Sequence, residues 1–95
     1  MEIPVKILKS VLAKVSKGLI TDADYFFNYN NTVYPDLVIM IDVDWTKLPE
    51  EIVNNRNKIF PYLEDRYSDF IKSFLMSIDF NYRGRIVFDV LNWGD

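Results

Sequence analysis

The sequence predicts an α+β domain: a four-stranded, mainly antiparallel sheet with helices packed on one face. Three observations carry this. Apolar residues recur at helical spacing near the N-terminus and again over residues 63–75, and they alternate at strand spacing over 36–45 and 76–93. A chain of 95 residues has room for one core, so residues 1–95 are expected to form a single domain in the order α-β-β-α(kinked)-β-β.

The first helix places Val5, Leu8, Val11, Leu12, Val15 and Leu19 on one side and Lys6, Lys9, Ser10, Lys14, Ser16 and Lys17 on the other. Pro4 suits a first helical turn, and Gly18 is a natural stop. Residues 24–29 are aromatic and prone to strand formation, and Asn30-Asn31 is a candidate tight turn. In the next strand, 36–45, Leu37, Ile39, Ile41, Val43 and Trp45 share one face. Val38, Met40, Asp42 and Asp44 share the other. Thr46 is a candidate N-cap, followed by a Pro49-Glu50-Glu51 first turn, and Pro61 predicts a kink or break near Phe60. Leu63, Tyr67, Phe70, Ile71, Phe74 and Leu75 then mark the apolar side of a helix. Met76, Ile78, Phe80 and Tyr82 alternate with polar residues, Arg83-Gly84 supplies a turn, and 85–93 alternates again, which predicts a second hairpin. A rival reading extends the helix to Ile78.

Cysteine and histidine are both absent, which removes disulfides, Cys/His zinc sites, thiol nucleophiles and every Ser-His-Asp triad. Three scattered glycines cannot build a phosphate-cradling loop. Asp22-Ala23-Asp24 opens like a calcium loop but puts Phe26 and Phe27 where a ligand and a glycine belong. Arg83-Gly84-Arg85-Ile86-Val87-Phe88 approaches an RNA-recognition signature yet lacks aromatic residues at its stacking positions. The expectation is a protein that is not an enzyme and needs no cofactor or metal. MEIPVKILKS lacks the layout of a signal peptide, and the longest apolar run, Leu37 to Ile41, is too short for a bilayer. The expected setting is intracellular, away from membranes.

Ile, Asn, Lys, Tyr and Phe supply 38 residues while Ala supplies two and Gln none, a bias toward A/T-rich codons and hence an A/T-rich genome. In being short, rich in Ile, Tyr and Asn and free of Cys, the chain resembles the small uncharacterised proteins of crenarchaeal viruses. That resemblance of composition implies a viral or mobile-element accessory protein in the cytoplasm of a host cell. Eight asparagines run against a hyperthermophilic source, where this thermolabile residue is thinned out.

The net charge of −3 is unevenly spread: residues 1–20 carry +3 and the remainder −6. This asymmetry and the sheet pattern give three functional expectations. With Leu37, Ile39, Ile41 and Val43 under the helices, Val38, Met40, Val87 and Leu91 point outward among Asp42, Asp44, Arg85 and Asp89. An apolar centre with a charged rim is the anatomy of a protein interface. The leading expectation is therefore a protein-binding or self-associating module. Its partner-binding residues are Val38, Met40, Asp42, Asp44, Val87, Asp89 and Leu91, and its partner is itself, as a homodimer, or another protein. The alternative is a nucleic-acid-binding accessory protein whose Lys6, Lys9, Lys14 and Lys17 meet phosphates. A minor alternative is a metal-dependent hydrolase, since Asp42 and Asp44 at i, i+2 on a strand project together and Asp89 could join them. Pro35-Asp36 before this acidic strand resembles the PD-(D/E)xK nucleases, but Asp44 stands where that pattern has lysine.

Overall fold

The computed structural model describes residues 2–29 and 33–93. They form helix α1 (Val5–Val15), strands β1 (Ile20–Asn28) and β2 (Asp36–Val43), a 3-10 turn at Trp45–Lys47 and a short helix α2 (Glu50–Asn54). A second 3-10 turn at Arg56–Lys58 leads into helix α3 (Ile59–Ser77) and strand β3 (Ile86–Val90). The strands make one mixed sheet in the order β1-β2-β3; the central β2 runs antiparallel to β1 and parallel to β3. The α+β class holds. Two features of the expected sheet do not: it has three strands among the described residues, and one of its two pairings is parallel.

Helix α1 forms where the spacing predicts and buries Leu8 and Leu12. It stops in a Schellman motif, with the Gly18 N–H donating to the Ala13 carbonyl at 2.9 Å and the Lys17 N–H to that of Lys14 at 3.1 Å. Gly18 has a φ of 85°, as expected of a glycine stop, but the position the motif reserves for glycine is held by Lys17 at φ 54°. A side chain there costs about 1–2 kcal/mol of local strain. Lys17→Gly is accordingly expected to stabilise the fold by about 0.5–1 kcal/mol, part of the relief being offset by a more flexible unfolded chain. Thermal unfolding checks this as a Tm several degrees higher.

The chain then enters the sheet at once, so β1 begins at Ile20 and not at residue 24. Cross-strand pairing carries Asp22, Ala23 and Asp24 into the strand against their weak intrinsic preference, after an irregularity in register at Thr21. The Asn30-Asn31 turn lies outside the described residues. After β2, the Asp44 carboxylate caps the 3-10 turn, leaving Thr46 inside the turn and not as the N-cap of a helix. The long helical region is broken before Pro61 rather than kinked at it. Pro61 is the third residue of α3, in the first turn, where its missing N–H costs no helical bond.

The predicted second hairpin is the main correction. Ile71, Phe74, Leu75 and Ile78 keep the helical period, and α3 continues through Ser77, as the rival reading has it. A second Schellman motif ends it: Phe80 N–H donates to Leu75 O at 2.8 Å and Asp79, at φ 57°, to Met76 O at 3.1 Å. Phe80 and Tyr82 do point together, but as packing against Phe27 and not as a ladder. The chain from β2 to β3 is thus a helical crossover, the connection that delivers a parallel neighbour.

One core unites these elements. Leu8 and Leu12 of α1, Ile52 of α2, and Ile59, Leu63, Tyr67, Ile71 and Leu75 of α3 share a buried cluster with the sheet. The sheet contributes Ile20 and Ala23, then Leu37, Ile39, Ile41 and Val43, then Ile86, Phe88 and Val90. The alternate residues of each strand lie outside it.

Candidate docking face

Strand register arranges those alternate residues in rows, because residues paired across a sheet share a face. Phe26, Val38 and Val87 are mutual partners in one row; Asp24, Met40 and Asp89 make the next. Further on, Asp22 stands opposite Asp42, and Leu91, 58% exposed, lines a shallow depression with both of them, Asp24 and Met40. At the other end Asn28 stands opposite Asp36, whose carboxylate accepts a 2.8 Å ion pair from Arg85. Val38, at the centre, is only 7% exposed yet belongs to no part of the core cluster, while Phe26 beside it is 43% exposed.

Six of the seven expected partner-binding residues are therefore brought together: Val38, Met40, Asp42, Val87, Asp89 and Leu91. Asp44 is not. It follows the strand, and its carboxylate accepts from the Thr46 hydroxyl at 2.6 Å and the Thr46 N–H at 3.1 Å, a local capping role. Sequence reasoning missed Phe26, Asp22 and Asp24. The signal for Phe26 was present in the strand period of residues 24–29, which separates Phe26 from Tyr25 and Phe27. Tyr25 faces the core side, its hydroxyl accepting from the Ile3 N–H at 3.2 Å. Tyr29 and Tyr34 line a separate aromatic cleft of about 640 Å³ with Phe27, Phe80 and Tyr82.

The sheet's outer edge at β1 is guarded against further strands by two of its own acids. Backbone groups of Leu37, Ile41 and Val43 are used toward β3: Leu37 N–H to Arg85 O, Leu91 N–H to Ile41 O, and Val43 N–H to the Asn92 side chain, each at 2.8 Å. By the alternation of an antiparallel pair, the β1 residues opposite Ile39 and Ile41, Tyr25 and Ala23, aim N–H groups outward. The Ala23 and Tyr25 N–H groups donate to the carboxylates of Asp22 at 2.9 Å and Asp24 at 2.7 Å. A docking strand would find these donors occupied and two acids in its path.

Charge is compensated in part. Lys9 reaches Asp22 at 3.2 Å, and this hydrogen bond, then the Ala23 N–H, then the lysine's charge hold the Asp22 carboxyl below the usual carboxylate range. The Thr46 hydroxyl and N–H do the same for Asp44. A carboxyl whose folded pKa is depressed contributes stability above its unfolded pKa and loses it as pH falls through the folded value. Thermal unfolding should therefore show Tm declining below about pH 4. The decline should be shallower in an Asp22→Asn/Asp44→Asn variant; an equal slope would assign acid sensitivity to other groups.

The four lysines of the alternative reading are exposed. Lys9 is tied to Asp22; Lys17 lies beyond the helix, where its carbonyl accepts from Lys47 Nζ at 3.4 Å. Lys14 sits in the last turn of α1 and Lys6 in its first. For the metal reading, no group of three or more acidic side chains able to hold an ion is found among the described residues. No described helix is long and apolar enough to cross a membrane. No family model, curated protein or solved structure matches the chain.

Proposed function

We propose that the chain is a non-enzymatic protein-binding module that docks its partner on the open face of the sheet. One observation carries the reading: Phe26, Val38 and Val87 form an apolar row across all three strands, outside the core and bordered by charge. Met40 and Leu91 extend it. An aromatic side chain and a methionine around an aliphatic centre, with charge kept to the rim, is the layout of a protein interface. The guarded β1 edge favours this face over strand addition.

Selection of peptides from a random displayed library against the immobilised chain tests the reading. The enriched peptides are expected to lose at least tenfold in affinity against a Phe26→Ser/Val87→Ser variant and less than twofold against Lys72→Ser on the outer side of α3. Circular dichroism establishes that each variant is folded. Peptides indifferent to the Phe26/Val87 pair would overturn the assignment.

A further inference from the structure

We infer that the occupant of this face is a cationic polypeptide segment, with basic side chains on either side of an aliphatic or aromatic anchor, and not a second copy of the chain. The inference rests on the docking reading above and adds the partner's chemistry. Five aspartates lie on the face: Asp22, Asp24, Asp36, Asp42 and Asp89. The two ion pairs among the described residues take up Asp22, by Lys9, and Asp36, by Arg85. Asp24, Asp42 and Asp89 have no such cation, and they surround Met40: Asp24 and Asp89 flank it across the strands, and Asp42 follows two residues on.

The arrangement works against the isolated fold. Asp22 and Asp42 are direct cross-strand partners, and like charges placed opposite each other destabilise a sheet. Lys9 offsets Asp22 alone and leaves Asp42 without a cation, and a local rule broken with only part of its cost offset is the mark of a surface shaped for something outside the chain. Two copies meeting face to face would set these carboxylates against one another, on a chain that is already net negative. A basic segment does the reverse. Asp24 and Asp89 stand two strand spacings apart, about 10 Å. That matches two basic residues at i and i+7 on a helix, with an apolar residue at i+3 or i+4 for the Met40 and Val87 surface.

The test uses the full chain and a fluorescent helical peptide with lysines at i and i+7 and leucines between, beside a twin carrying glutamine for each lysine. Anisotropy at low salt is expected to show the lysine peptide binding at least tenfold more tightly than its twin. An Asp24→Asn/Asp42→Asn/Asp89→Asn variant should lose at least tenfold. A charge-matched control on the helical side, Glu50→Gln/Glu51→Gln/Asp65→Asn, should lose less than twofold. Equal losses in both variants would mean unspecific attraction to an acidic protein and overturn the inference. If both peptides bind equally and only Phe26→Ser/Val87→Ser weakens them, the docking face stands and the cationic partner falls. If that pair affects neither peptide, the docking reading itself falls. Sedimentation showing a dimer that dissociates on Phe26→Ser/Val87→Ser would make the occupant a second copy.

Discussion

Replacing Asn92 by aspartate is expected to destabilise the protein by about 2–3 kcal/mol at neutral pH, although the side chain keeps its shape. Asn92 acts as one more rung of the sheet. Its Oδ1 accepts from the Val43 N–H at 2.8 Å and its Nδ2 donates to the Val43 carbonyl at 2.7 Å, continuing the pairing of β2 one step beyond the end of β3. Its own carbonyl accepts from the Trp45 indole at 2.6 Å, which holds Trp45 against Trp93 at a ring separation of 5.7 Å. The Arg56 guanidinium lies 4.6 Å over Trp45 and donates to the Trp93 carbonyl. A carboxylate in place of the amide still accepts from Val43 N–H but faces the Val43 carbonyl with a second acceptor. That leaves a half-buried backbone group unpaired and adds repulsion.

Two controls separate this from simple loss of packing. In Asn92→Ala both Val43 groups lose their partner, and the cost, about 1–3 kcal/mol, should not depend on pH relative to the wild type. In Asn92→Asp the introduced carboxyl is disfavoured when charged, so its folded pKa lies above its unfolded one. Its deficit should then shrink as pH falls and the protonated acid donates to the Val43 carbonyl. Urea unfolding of the three proteins at pH 7 and pH 4.5 measures this, and faster hydrogen exchange at Val43 in both variants localises it. Equal stability of Asn92→Ala and wild type would show that water replaces the amide at no cost.

The difference between what was legible in the sequence and what was not follows the range of the forces involved. Helix α1 and the body of α3 were legible because their signal is local: a sided apolar period that one element must bury. The two faces of β2 were legible for the same reason, and with them most of the residues on the open face of the sheet. Pairing was not. Whether residues 85–93 lie antiparallel to a preceding strand or parallel to β2 depends on where α3 ends, and Met76–Ile78 satisfies both periods. The rung made by Asn92 leaves no periodic trace, since it is one side chain imitating a backbone across 49 residues of separation. The acids that guard the β1 edge were visible as Asp22 and Asp24, but their role depends on which N–H groups β2 leaves free.

Gly84→Ala is the second large effect, expected to cost about 1–3 kcal/mol through overpacking, with its origin in a residue far along the chain. β3 is set in place by the residue that precedes it: Arg85 O accepts from Leu37 N–H at 2.8 Å and Arg85 pairs with Asp36. Just before it, the Tyr82 hydroxyl donates to the Pro35 carbonyl and lies 3.1 Å from that of Arg85, and burial lifts its pKa above the ordinary tyrosine range. Gly84 threads between these groups. A Cβ there would fall on the Tyr82 hydroxyl and ring and on the Pro35 carbonyl, and the latter is backbone that cannot swing aside. Relief must come from moving the ring, which also packs at a tilt against Phe27 and Phe80, or from shifting the start of β3 away from β2. A double-mutant cycle with Tyr82→Ala distinguishes the two. If the ring is the obstacle, Gly84→Ala should cost at least 1 kcal/mol less in the Tyr82→Ala background. If the Pro35 carbonyl dominates, the costs should add, and exchange of the Leu37 N–H should quicken in both backgrounds.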